Sequence, residues 1–127
     1  MLAIILDSNL MLSTRIEKGL QLLGYEVRVT SNTAELHAIL ENFQPSLVVI
    51  NYNDTSYDAL EVTKFLSSYQ NSAHILGYVA HGEIPQLRPA AYAAGCQLLV
   101  ANSAITSKLS QLVGRVMSDS GTESFEE

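Results

Sequence analysis

The chain has 127 residues, 47% of them hydrophobic and 16% charged, against about 25% charged in an ordinary soluble domain. That length and apolar content suit one domain with a single core and exclude a disordered chain. The net charge of −6 argues against a nucleic-acid footprint, the lone Cys96 excludes an internal disulfide and a thiolate metal site, and no apolar run approaches the ~20 residues that span a bilayer. The opening MLAIILDSN has no basic stretch and meets Asp7 too early for a signal peptide, so the cytoplasm is the expected location.

The segment AIIL (3–6) predicts a first strand. Leu12, Ile16, Leu20 and Leu23 recur at helical spacing, and Gly24 is placed to end that helix. EVRVT, with Val27 and Val29 on one face, predicts a second strand. Ser31 or Asn32 caps a helix whose buried stripe is Leu36, Ile39, Leu40 and Phe43. Pro45 separates it from SLVVI, a continuous apolar run expected of a strand buried on both faces. Val62, Phe65, Leu66 and Tyr69 mark a third helix, and HILGYVA a fourth strand. Residues 87–94 predict a short Ala-rich helix with Pro89 in its first turn and Gly95 at its end. CQLLVA predicts a fifth strand, and Ser103 caps a last helix carrying Ile105, Leu109, Leu112, Val113 and Val116.

Strand and helix therefore alternate five times. Short apolar strands between amphipathic helices imply a parallel sheet covered on both faces, and right-handed crossovers restrict it to a doubly wound α/β sandwich. Residues 1–118 form the expected domain, and the acidic tail, 119–127, is expected to be disordered. In such sheets ligands sit beyond the carboxyl ends of the strands. Those ends are Asp7-Ser8-Asn9, Asn51 to Asp54, Val79 to His81, and Ala101-Asn102.

At these ends the chain resembles the receiver domain of bacterial response regulators, over about residues 2–117. PSLVVINYNDTSYDALEV (45–62) matches the family's Pro, apolar strand, phosphoacceptor and loop without a gap. AAGCQLLVAN (93–102) matches its Ala-Gly-Ala stretch, fifth strand and terminal lysine, and ILDSN its first strand and acidic pair. The resemblance implies a flavodoxin-like (βα)5 fold with strand order 2-1-3-4-5. It also implies two acids that hold Mg²⁺, an aspartate that takes the phosphoryl group, and a Thr/Ser and a Lys that respond to it. Here only Asp7 remains of the acids; Ser8 is the second, Asn51 the phosphoacceptor, Val79 the Thr/Ser and Asn102 the Lys. Leu99 takes the position of the family's switch aromatic. Asn51 has no anionic oxygen to attack phosphorus, and one carboxylate is a poor start for a Mg²⁺ site. Loss of the lysine together with the acids also avoids leaving an unpaired cation in the cleft.

The expected protein is thus a stand-alone pseudo-receiver in two-component or phosphorelay signalling. It is not an enzyme, uses no cofactor or metal, and works by protein–protein interaction without nucleic acid or membrane. The alternative is a flavodoxin-like module that binds a small molecule in the vacated cleft. A third reading is an enzyme with Asp7 as nucleophile, as in haloacid-dehalogenase-type phosphatases. FMN binding would need a phosphate loop, and DSNLMLSTRI has no glycine. Asp7 reads equally as a loop cap that accepts backbone N–H groups. Residues 84–118 contain three bases (Arg88, Lys108, Arg115) and no acid. An interaction face is expected there, with Leu87, Arg88, Ala91, Tyr92, Gln111 and Arg115. A homodimer through the fourth helix, fifth strand and fifth helix, or an acidic partner segment, would use it.

Overall fold

Apolar runs that can be buried on both sides take the centre of the sheet: β1 (Leu2–Leu6), β3 (Leu47–Asn51) and β4 (His74–Val79). The computed structural model describes residues 1–69 and 73–118. All five strands are parallel, in the order β2-β1-β3-β4-β5, with β2 (Glu26–Thr30) and β5 (Leu98–Ala101) at the edges. The acidic tail lies outside the described residues.

The helices are α1 (Leu10–Leu22), α2 (Thr33–Asn42), α3 (Ala59–Ser68), α4 (Ile84–Ala94), α5 (Asn102–Ser107) and α6 (Leu109–Met117). Polar caps start the first three: Asn9, Asn32 and Asp58 each accept backbone N–H groups of the opening turn. The strands alternate their side chains between two cores. One joins Ile4, Leu6, Val48 and Ile50 to Leu36 of α2, Val62 of α3 and Ala91 of α4. The other joins Ile5, Val49, Tyr78 and Val100 to Ile16 of α1 and Leu112 of α6. Gly77 stands where a Cβ would meet the Tyr52 ring at 2.5 Å, so β4 carries no side chain there.

The chain from His81 onward departs from the sequence expectation in two places. The fourth helix begins at Ile84, not residue 87, behind a 3₁₀ turn (His81–Glu83). Pro89 therefore sits mid-helix and removes the bond to the Pro85 carbonyl, a change of ~3 kcal/mol in a helix interior. Both prolines are exposed, which leaves that carbonyl open to water. The expected last helix is two helices, broken at Lys108 (φ −129°, ψ 27°). Thr106 and Ser107 turn their hydroxyls back onto the Ser103 carbonyl, a pattern that bends helices. The apolar stripe from Ile105 to Val116 stays on the core side through the break. Among the described residues, no helix is long and apolar enough to cross a membrane.

Candidate functional site at the strand ends

Asp7, Asn51 and Tyr78 form a row across three adjacent strands. Asp7 follows β1, Asn51 ends β3, and Tyr78 is the partner of Asn51 on β4. All three are buried, Asp7 to 2% exposure and Asn51 to 6%. The Asn51 amide donates to Asp7 Oδ1 at 2.9 Å, and the Asn9 backbone N–H donates to the same oxygen at 2.8 Å. The Tyr78 hydroxyl donates to Asp7 Oδ2. Both carboxylate oxygens are therefore engaged by protein donors. Asn51 Oδ1 accepts from the Asn53 N–H at 2.8 Å, which fixes the orientation of the amide. An aspartate at 51 would set an acceptor against an acceptor, so the amide satisfies this position better than the acid it resembles. Burial first, then the bond to Asp7, holds the Tyr78 phenol protonated far above its usual range.

Two loop residues seal the arrangement. Asp54 Oδ2 accepts the Ser8 N–H at 2.6 Å, and Asp54 Oδ1 accepts the Ser56 N–H at 2.9 Å. Partial desolvation raises the Asp54 carboxyl, but bonds from Ser56 and Ser8 outweigh it and hold the group at about 2. Asn53 accepts the Ala80 N–H at 2.6 Å and donates to Glu83 at 2.9 Å. The loops after β1, β3 and β4 are thus bonded to one another. Behind them the Tyr57 hydroxyl lies 2.7 Å from both the Leu6 and Asn51 carbonyls, close enough to donate to either.

Of the five cleft residues expected from the sequence, the structure brings Asp7, Ser8 and Asn51 together around a shallow cavity of about 290 Å³, with Asn9, Asn53, Asp54 and Thr55. Val79 and Asn102 do not line it. Val79 belongs to the core under α2, α3 and α4, together with Leu99. Asn102 opens α5, with its Oδ1 buried and without a hydrogen-bond partner among the described residues. The residues do not fit Mg²⁺. The ion needs several hard oxygens in near-octahedral geometry, and the two carboxylates here already accept six protein hydrogen bonds. No group of three His, Cys, Asp or Glu side chains suited to a metal occurs among the described residues. The loop-cap reading of Asp7 agrees with the Asn9 bond. Asn53 and Asp54 lie in the strand-end stretch expected to carry the site but had no role assigned to them, and Tyr78 lies outside every expected stretch.

No protein-family model matches the chain, and the search of curated proteins gave no match. Solved structures do match. One is a CheY-like response regulator receiver domain protein from Methanospirillum hungatei JF-1, with TM-score 0.81 and 14% identity over 97% of this chain and 98% of that one. Another is a response regulator from Burkholderia pseudomallei with a phosphorylated aspartic acid, at TM-score 0.78 and 17% identity over 95% of this chain and 68% of that one. The chain has the receiver fold. A third match, at TM-score 0.73 and 16% identity over 90% of this chain and 66% of that one, is RcsB from Salmonella enterica serovar Typhimurium, bound to promoter rprA.

On this receiver fold the expected interaction face flanks the β5 edge and needs one correction. Ala91 is fully buried, because it shares a helical phase with Ile84 and Ala94, which also face the core. Leu87, Arg88 and Arg115 are half-buried, while Gln111 is exposed and Tyr92 is 40% exposed. Arg88 and Tyr92 are turned toward the strand. The Arg88 guanidinium donates to the Leu99 carbonyl at 2.9 Å, and the Tyr92 hydroxyl accepts the Leu99 N–H at 3.4 Å. Together they cover both backbone groups of one residue on an edge strand.

Proposed function

We propose that the chain is a pseudo-receiver: a receiver-fold module that does not accept phosphate and acts by binding a protein partner in bacterial signalling. The observation that carries this reading is the engagement of both Asp7 oxygens by Asn9, Asn51 and Tyr78. A phosphoryl acceptor needs a free carboxylate and oxygen ligands for a metal that neutralises the incoming charge; the carboxylate oxygens of this cleft are already committed to protein donors. The Burkholderia protein carries its phosphoryl group on an aspartic acid, whereas β3 ends here in Asn51. The chain performs no reaction of its own in this reading.

The partner site we propose is the surface beside β5, built on α4 and α6. Residues 84–118 hold no acid, so an acidic segment of a second protein fits it best, with Leu87 and Tyr92 giving apolar contact and Arg115 at the rim. We assign this face to a partner rather than to self-association. DNA is bound by RcsB, of which this chain spans 66%; for this chain the net charge of −6 favours a protein partner. The cleft is a poor small-molecule site, since about 290 Å³ of shallow, polar space falls at the lower bound of ligand pockets.

The test is to incubate the protein with a small phosphodonor and Mg²⁺ and to measure its intact mass. The mass is expected to stay unchanged. A phosphoryl adduct mapped to the strand-end cleft would overturn the reading.

A further inference from the structure

The two edges of the sheet are treated differently. On β5 the outward N–H and C=O of Leu99 are covered by Tyr92 and Arg88. On β2 the residues bonded to the β1 side include Glu26, whose N–H donates to Met1, and Thr30, whose carbonyl accepts from Asp7. Alternation then turns the N–H and C=O of Val27 and Val29 outward. No hydrogen bond to those four groups exists among the described residues. An open edge of this kind is a template for a further strand. Its surroundings are apolar: Met1, Leu22, Leu23 and Phe43 are four of the seven large hydrophobic residues left exposed among the described residues. Leu22 and Leu23 lead into β2, Met1 bonds its first residue, and Phe43 lies 4.4 Å beneath the Arg28 guanidinium.

We infer that β2 is a homodimer edge, at which two copies pair their β2 strands antiparallel about a twofold axis and form one ten-stranded sheet. The charges select the register. Only outward-facing residues can form the bonded pairs, so Val27 must meet either Val27 or Val29 of the second copy, or Val29 must meet its own counterpart. Pairing Val27 with its counterpart sets Glu26 opposite Arg28 twice over. Pairing Val27 with Val29 sets Arg28 against Arg28. Pairing Val29 with Val29 sets Arg28 opposite Thr30. The first register alone forms opposite-charge pairs across the twofold, at directly opposed positions where side chains interact. Glu26 and Arg28 are exposed, and neither has an ion-pair partner among the described residues. An isologous contact closes on itself. With the β5 edge covered, association stops at two.

The molar mass of the full-length protein in solution tests this, with circular dichroism on each variant to confirm folding. The wild type is expected to show twice the chain mass. Glu26→Arg and Arg28→Glu are each expected to be monomeric alone, to form a heterodimer when mixed, and to regain the homodimer when combined in one chain. Val27→Pro, which removes only an outward N–H, is expected to stay folded and monomeric. A monomeric wild type, or single charge variants that remain dimeric, would overturn the proposal.

Discussion

Asn51 is a donor to the buried carboxylate of Asp7, and its energetics follow from that. Asn51→Asp removes the donor to Asp7 and buries a second carboxylate beside the first, with no cation to offset it. We expect a loss of about 2–3 kcal/mol at neutral pH, measured by urea denaturation. Of two carboxyls that share a site, one has its pKa raised above the unfolded value of ~4. The variant should therefore come nearest the wild type below pH ~4 and fall behind as pH rises through the raised value. An equal deficit at all pH values would contradict the geometry. Asp54 has the opposite sign. Its folded value is depressed to about 2, so its contribution is present above the unfolded value and disappears as pH falls toward the folded one. The group is only half-buried, at the edge of the cleft, so the effect should be small. Asp54→Asn should flatten the acid limb of the melting curve over that range, and an unchanged limb would mean that the Ser8 and Ser56 bonds carry no net stability. Neither Asp54 nor Tyr78 announced its role in the sequence. Asp54 reads as one more polar loop residue, and a tyrosine inside a strand reads as packing, because periodicity reports burial and not where a hydroxyl points. Asn51 was legible because it interrupts an apolar run at a strand end.

At the scale of elements, the strands followed from the sequence because their apolar runs are sharply bounded, while their order followed from the resemblance to receiver domains. Helix phase was legible where charged and apolar residues alternate, as on α6 and on α2 as far as Leu40; Phe43, expected on the buried stripe, lies past the end of α2 in extended backbone and is 47% exposed. It failed on α4, whose IPQLRPAAYAA offers little contrast between faces, and Ala91 was consequently assigned to the surface. The break at Lys108 was hidden for a related reason: the apolar stripe continues in phase across it. The contact between α4 and β5 gives a local expectation. Tyr92→Phe removes the acceptor of the Leu99 N–H, a bond contributing ~1 kcal/mol, and should speed hydrogen exchange at that amide severalfold while leaving Val49 in the sheet centre unaffected. Unchanged exchange at Leu99 would show that the edge is protected by something other than Tyr92.

For the whole molecule, the proposed reading assigns function to the outer surface, because both Asp7 oxygens in the cleft are already bonded. A module that is not switched by phosphate can signal only if a partner or a second copy shifts or uses its conformation. Gln111→Glu with Arg115→Glu places two acids on a surface that has none. The pair is expected to abolish capture of the acidic partner segment proposed for this face, at low salt and without altering the melting temperature; capture that survives would move the working surface elsewhere. The most direct test of the central claim is a Mg²⁺ titration followed by amide NMR. The wild type is expected to show no saturable shift at Asp7, Ser8, Asn51 or Asn53. The triple variant Ser8→Asp, Asn51→Asp, Tyr78→Phe, which adds two carboxylates and frees Asp7 Oδ2, is expected to show one. A saturable Mg²⁺ response at these residues in the wild type would contradict the account.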